Sequence, residues 1–395
     1  MSKVTVLVVD DSVVIRRLVT NALSIDPDIE VVGTASSGRL ALQKIDLLKP
    51  DVVTLDVEMP DMNGLEALVE LRKTHFRLPV IMFSTVTERG ASATLDALAK
   101  GANDYVTKPS SVGSVDEAMA EVRRQLVPKI KALAEWASSG DRKRTRPVTP
   151  TSPGTASAAM GRAREARVAT PTVAPVATIP VLTRVVRHAR VDAVAIGVST
   201  GGPDALSGVL PRLSAQLPVP IFIVQHMPPV FTRLFAERLS SRSGLTVSEA
   251  AHGDVVLPGH VYVAPGDFHM TVHREGDQVL IATNKDEPEA WCRPAVNVLF
   301  RSVAQVYGGG TLAVVLTGMG QDGLRGVELL HSRGAQVVVQ DEASSIVWGM
   351  PGAVATAGLA DKVVPLSEVA AEITRRVAAG RAGNPASSST AAARR

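Results

Sequence analysis

The chain has 395 residues, a mass of 41.5 kDa, 45% hydrophobic and 21% charged positions, and a formal net charge of +3. At roughly 100 to 200 residues per domain this length suits two domains or three small ones, and the balance excludes a fibrous or wholly unstructured chain. Aromatic residues are only 3%, so Val, Leu, Ile and Ala must fill the cores, and the single cysteine, Cys292, excludes an intramolecular disulfide and a multi-cysteine metal centre.

In residues 1–137, β-branched runs at 4–9, 30–33, 51–55, 79–83 and 104–106 alternate with amphipathic stretches such as 12–25, 65–73 and 91–100. Five strands alternating with helices predict a doubly wound parallel sheet. A last helix over 115–137 leads into 138–180, rich in Pro, Thr, Ser, Ala and Gly. That segment lacks apolar periodicity and is expected to be a flexible tether. It carries seven Lys/Arg against two Asp/Glu, an excess of five, so the rest of the chain is left slightly acidic against a total of +3. A basic nucleic-acid face is therefore not indicated. No run of roughly 18 apolar residues would span a membrane. Met1 to Ser12 lacks the layout of a secretory signal, so the chain is expected to be cytoplasmic.

Residues 188–377 repeat the alternation, with strands at 193–198, 221–224, 312–316 and 336–339 and helices at 205–213, 231–240, 295–306 and 323–331. The stretch 246–283, with its Gly and Pro turns, reads as antiparallel hairpins. The expected architecture is α/β throughout, with a five-stranded parallel sheet, then a mostly parallel α/β domain with an antiparallel hairpin insertion. The expected boundaries are 1–125 for the first domain, 126–187 for a helical extension and linker, 188–377 for the second domain and 378–395 for a disordered tail.

In open parallel sheets, ligands bind beyond the carboxyl ends of the strands. Asp10 and Asp11 follow the first strand, Asp56 ends the third, Ser84 follows the fourth, and Lys108 follows the fifth. Three gathered carboxylates repel unless a hard cation neutralises them. Mg²⁺ suits such a set, since it takes oxygen ligands and keeps waters for a phosphate. Lys108 is placed to hold a phosphoryl oxygen, with Ser84 as a hydroxyl donor. Helix capping would account for one acid pair, but not for all five positions.

This set resembles a response-regulator receiver domain. The matching pieces are Val-Val-Asp10-Asp11-Ser12, Leu55-Asp56-Val-Glu58-Met59-Pro60, Asn63-Gly64, Ser84-Thr85 and Thr107-Lys108-Pro109. The resemblance implies that Asp56 accepts a phosphoryl group and that Mg²⁺ is held by Asp10, Asp11, Asp56 and the backbone carbonyl of Glu58. It implies a switch role for Ser84, Tyr105 and Lys108.

In the second domain, Gly197-x-Ser199-x-Gly201 has the spacing of a nucleophile elbow, where a serine sits on a tight strand-to-helix turn. A phosphate-binding turn would look similar. Two further strand ends supply a base and an acid: His226 after 221–225, and Asp322 in the Gly-rich turn after 312–316. A serine hydroxyl needs a base to take its proton and an acid to orient that base. His252, His260, His269 and His273 lie in the hairpin stretch, and Asp254 and Asp267 sit in Gly-Asp turns suited to local bonding.

The chain order Ser, His, Asp differs from that of an α/β-hydrolase. With Gly-Val-Ser199-Thr200-Gly201-Gly202, Gln225-His226-Met227, Leu316-Thr-Gly-Met319-Gly320-x-Asp322-Gly323 and Trp348-Gly349-Met350-Pro351-Gly352, the second domain resembles the catalytic domain of chemotaxis protein-glutamate methylesterases. Arg293-Pro294-Ala295-Val296-Asn297 also fits, although the family pattern has Ser where Ala295 stands.

The resemblance implies hydrolysis of glutamate methyl esters on methylated chemoreceptors, and deamidation of receptor glutamines in many relatives. Ser199, His226 and Asp322 would be the triad, backbone N–H groups near Thr200 and Met319 the oxyanion site, and no cofactor would serve the ester step. A chemotaxis histidine kinase would supply the phosphoryl group. The unphosphorylated receiver would pack over the Ser199 cleft, and phosphorylation would loosen it. The expected state is a monomer that neither binds nucleic acid nor inserts into a membrane. A receiver with a DNA-binding output is disfavoured, since 188–377 reads as sheet rather than helix-turn-helix. A receiver fused to a non-catalytic ligand-binding module is the remaining alternative.

Overall fold

The computed structural model describes residues 3–109, 114–144 and 190–381. The expected tether and tail fall largely outside these residues.

The N-terminal unit runs β1 (Val4–Val9), α1 (Val13–Ser24), β2 (Ile29–Ala35), α2 (Gly38–Leu48), β3 (Val52–Asp56), α3 (Gly64–Thr74), β4 (Val80–Ser84), α4 (Glu88–Ala99), β5 (Asp104–Thr107) and α5 (Val115–Arg144). Its strands form one parallel sheet in the order β2-β1-β3-β4-β5. Short polar residues start the helices: Ser12, Ser37 and Thr87 each accept a first-turn N–H, and Asn63 forms a reciprocal capping box with Glu66. β3 and β4 are buried along their whole length, as expected of strands covered by helices on both faces. The strand order reverses between β1 and β3, which opens the crevice where Asp10 and Asp56 meet.

The C-terminal unit begins with β6 (Ala193–Val198), α6 (Gly202–Val209), β7 (Ile221–Gln225), α7 (Phe231–Ser243), β8 (Thr246–Glu249) and β9 (His260–Val263). It continues with β10 (His269–Glu275), β11 (Gln278–Asn284), α8 (Val296–Tyr307), β12 (Thr311–Val315), α9 (Leu324–Ser332) and β13 (Gln336–Gln340), and ends with α10 (Met350–Thr356), β14 (Lys362–Val364) and α11 (Leu366–Ala378). Seven strands make a parallel sheet in the order β14-β13-β12-β6-β7-β9-β8. From β6 the chain winds one way through β7, and from β12 it winds the other way. The carboxyl ends of β6, β7 and β12 therefore border one crevice.

Only half of stretch 246–283 is an antiparallel hairpin. β10 pairs antiparallel with β11 apart from the main sheet, whereas β8 and β9 join that sheet in parallel. The hairpin packs on α8, where the Val272 N–H donates to Ser302 Oγ at 3.1 Å.

The two units share buried apolar side chains. α4 and β5 of the first face α6 and α7 of the second. Tyr105 stacks on Phe231 with ring centroids 4.8 Å apart. Arg238 pairs with Asp96 at 2.7 Å and donates to the Ser92 carbonyl at 2.8 Å, and Arg233 pairs with Glu88. Ile346 packs against the N-terminal unit on one side and against Gly201 on the other.

Candidate active site

Ser199 follows the fully buried strand β6, so its position is fixed by sheet packing rather than by a free loop. Its N–H donates to the Thr317 carbonyl at 3.0 Å, and its carbonyl accepts from the Gly202 N–H at 2.7 Å and Gln225 Nε2 at 3.1 Å. Gly201 turns the chain into α6 with φ 77°, a left-handed conformation that a side chain would strain. Gly318 lies so close that a Cβ there would fall 2.9 Å from the Ser199 Cβ. The turn after β12 thus abuts the serine.

His226 follows β7, and its N–H donates to the Val198 carbonyl at 3.3 Å. Its Nδ1 lies 3.0 Å from Ser199 Oγ, and its Nε2 lies 2.8 Å from Asp322 Oδ2. A carboxylate only accepts, so Asp322 holds the proton on Nε2 and leaves Nδ1 to accept from the serine hydroxyl.

Asp322 is 3% exposed, and all its bonds favour the charged form. Oδ2 also accepts from the Val296 N–H at 2.7 Å, and Oδ1 accepts from the Asn297 and Gly323 N–H groups, both at 2.9 Å. Val296 and Asn297 open α8, whose unpaired N–H groups and dipole favour an anion. Burial raises the pKa of Asp322, but His226 and these N–H groups outweigh it and hold the carboxyl below its usual range.

The N–H groups of Thr200 and Met319 have no hydrogen-bond partner among the described residues. Thr200 follows the serine at the start of the turn into α6, and Met319 follows Gly318, which lies against the serine.

The crevice of the first unit gathers Asp10, Asp11 and Asp56, each with a carboxylate oxygen within 4.8 Å of the others. Lys108 Nζ contacts Asp10 Oδ2 at 2.9 Å and Asp56 Oδ2 at 2.8 Å, and the Glu58 N–H donates to Asp56 Oδ1 at 3.3 Å. Burial, opposed by Lys108 and reinforced by the Asp10 charge, raises Asp56 to about 6. Three gathered carboxylates, only two of them paired with the Lys108 ammonium, form a donor set that fits a hard divalent cation. Ser84 and Tyr105 lie apart from this set: the Ser84 hydroxyl donates to the Gly90 carbonyl in α4 at 3.1 Å, and Tyr105 is stacked on Phe231.

Two family models match the chain: CheB methylesterase over residues 194–373 and response regulator receiver domain over residues 6–120. A protein of Trichodesmium erythraeum is 49% identical over 377 residues, covering 95% of this chain and 100% of that one. Proteins of a Nocardioides species (50% identity, 96% of this chain and 97% of that one) and of Azospirillum brasilense (43%, 93% and 91%) are similarly related. All three are named protein-glutamate methylesterase/protein-glutamine glutaminase.

The chain belongs to the CheB methylesterase family.

Its N-terminal unit is a receiver domain, a fold that implies a divalent metal site. In this CheB chain, five of the rival histidines and acids in the second unit make local contacts instead. Buried His269 accepts the Ala295 N–H at Nδ1, 3.2 Å away, and its Nε2 lies 3.1 Å from the Glu287 carbonyl. His252 accepts the Thr283 N–H, and His260 stacks on Tyr262. Asp254 accepts the Ala251 N–H, and Asp267 pairs with Arg293 and Lys285. Ala295, where the family pattern has Ser, is the buried N-cap of α8 and offers no side-chain bond there.

The sequence reading missed Cys292 as a site neighbour. Its Sγ lies 3.5 Å from His226 Nδ1, the nitrogen that faces Ser199. Burial lowers the pKa of His226, but Cys292 first and then Asp322 outweigh it and hold the imidazole above its ordinary value.

Proposed function

We propose that the chain hydrolyses γ-glutamyl methyl esters on the helical bundle of chemoreceptors, releasing methanol, and deamidates glutamine at equivalent positions. The observation that carries this is the relay from Ser199 Oγ through His226 to Asp322, at 3.0 and 2.8 Å. The relatives' name supports both activities. A turn that merely grips a phosphate has no need of a base on its serine.

As Ser199 Oγ attacks the ester carbonyl, its proton passes to His226 Nδ1. The carbonyl electrons move to an oxyanion held by the Thr200 and Met319 N–H groups. Collapse expels the methoxy oxygen, which takes the proton from Nδ1 and leaves as methanol. Water then gives a proton to Nδ1, attacks the acyl-enzyme and frees glutamate, and Ser199 recovers its proton. Asp322 stabilises each imidazolium that forms. This chemistry draws on protein groups alone.

Residues 1–125 act as the regulatory unit and 188–377 as the catalytic one. Asp56 takes a phosphoryl group from a chemotaxis histidine kinase, and Lys108 holds one of its oxygens. Asp10, Asp11, Asp56 and the Glu58 carbonyl would hold Mg²⁺, which when bound neutralises the gathered negative charge. The protein works as a cytoplasmic monomer; no helix among the described residues is long and apolar enough to cross a membrane.

The test is methanol release from methylated receptor membranes by the wild-type chain and by Ser199→Ala, each with and without a small phosphodonor. Release should require Ser199 and rise with phosphodonor. Release that survives Ser199→Ala would remove the triad, and release that ignores the phosphodonor would remove the receiver's control.

A further inference from the structure

Residues 289–292 form a tight turn closed by two reciprocal backbone bonds. The Glu289 N–H donates to the Cys292 carbonyl at 3.1 Å, and the Cys292 N–H donates to the Glu289 carbonyl at 3.0 Å. Both central residues are left-handed, Ala290 with φ 53° and Trp291 with φ 64°. Turns of this hand usually use Asn and Gly, because a Cβ is strained there, and a bulky residue is an outlier. The surroundings hold the strain in place. Arg301 binds both carboxylate oxygens of Glu289, at 2.8 and 2.5 Å, and Arg293 binds Asp267 at 2.7 Å.

At the tip Trp291 is 86% exposed, the most exposed large apolar side chain among the described residues. A lone exposed apolar residue needs no explanation, but here a strained and braced backbone keeps an indole in water. Its chain neighbour Cys292 reaches within 3.5 Å of His226 Nδ1. The indole therefore stands one residue from the group that contacts the imidazole.

A glutamyl side chain is short, so a helix that delivers its ester to Ser199 must settle on the rim beside His226. Tryptophan is the residue type most enriched at binding anchors, since it covers much area with few rotors. We propose that Trp291 is a substrate-positioning residue, whose indole docks on the apolar face of the helix next to the reacting side chain. This rests on the functional reading above and adds the part of the enzyme that recognises a helix rather than an ester. A contact that holds the helix equally in ground and transition states appears in KM and not in kcat, and this uniform role is the one assigned to the indole.

The experiment uses the full chain, with a methylated receptor cytoplasmic fragment and N-acetylglutamate γ-methyl ester as substrates. Trp291→Ala should raise KM for the receptor fragment by about tenfold or more while leaving kcat and small-ester turnover unchanged. Trp291→Phe should recover most of the loss. Trp291→Gly, which relieves the left-handed strain while removing the ring, should behave as Trp291→Ala does. An unchanged KM for the receptor fragment in Trp291→Ala overturns the inference. So does an equal loss on both substrates, or wild-type KM in Trp291→Gly, either of which would make the turn rather than the ring the cause. Absence of Ser199-dependent release by the wild-type chain would overturn the functional reading, and this inference with it.

Discussion

His226 Nδ1 faces two groups at once, Ser199 Oγ at 3.0 Å and Cys292 Sγ at 3.5 Å. A general base works only when neutral, so hydrolysis must fail as pH falls through the pKa of the imidazole. Burial works to lower that pKa, yet Cys292 and Asp322 together hold it above the ordinary 6.5. Cys292→Ala removes the foremost raising influence, and the acid limb of kcat/KM on a small ester should move to lower pH, with activity gained on the acid side. A limb that stays in place would mean the sulfur does not act on the base. Ser199, His226 and Asp322 were legible in the sequence because each sits where a strand ends in a recognisable turn. Cys292 was not, since it lies 66 residues from His226 and reaches it from a loop without periodic pattern.

Among elements, α11 shows how the far edge of the catalytic sheet is fastened. One face buries Val369, Ala370, Ile373 and Val377, and the same face carries Glu372, only 4% exposed. Glu372 accepts from Arg375 at 2.9 and 2.6 Å, from Arg376 at 2.7 Å and from Lys362 beside it in β14 at 3.1 Å. Arg375 foremost, then Arg376 and Lys362 against the opposing effect of burial, hold its carboxyl well below the usual range. A lowered carboxylate stabilises the fold above its unfolded value and loses that contribution as pH falls. Glu372→Gln should therefore destabilise the C-terminal unit in urea unfolding at neutral pH. The cost should be about 3 kcal/mol, the low end for a broken buried pair because Arg376 keeps Gln336 at 3.0 Å. The gap between variant and wild type should narrow as pH drops below 4.5. Equal stability at neutral pH would show the cluster to be neutral in balance. The sheet's other edge was the part least legible in the sequence. β8 and β9 are separated by only ten residues, a length that suggests a hairpin, since parallel neighbours usually need a longer crossover. Alternation marks a strand but says nothing about its partner. What makes the pair parallel is β9 lying beside β7, with β8 added outside it.

Across the whole molecule, the receiver packs on the unit that carries Ser199 through α4 and Ile346. The Ser84 hydroxyl, at the end of β4, holds the Gly90 carbonyl in the first turns of α4. Should Ser84 turn instead toward a phosphoryl group on Asp56, α4 would lose that anchor. α4 carries Glu88, Ser92 and Asp96, the residues gripped by Arg233 and Arg238 of α7. Close by, Ile346 links the receiver's apolar side to Gly201, two residues from Ser199. If this packing restrains the enzyme, weakening it should act as phosphorylation does. Arg238→Asp places like charges opposite Asp96 and should raise methanol release without phosphodonor. Loss of about 1 kcal/mol of docking free energy corresponds to a roughly fivefold rise, with a matching drop in the response to phosphodonor. Adding Asp96→Arg in the same chain reverses the pair and should restore both the low basal rate and the response. That rescue separates a docking effect from damage to α7, because damage to α7 would persist in the double variant. A basal rate unmoved by Arg238→Asp would mean that the packed receiver does not restrain Ser199.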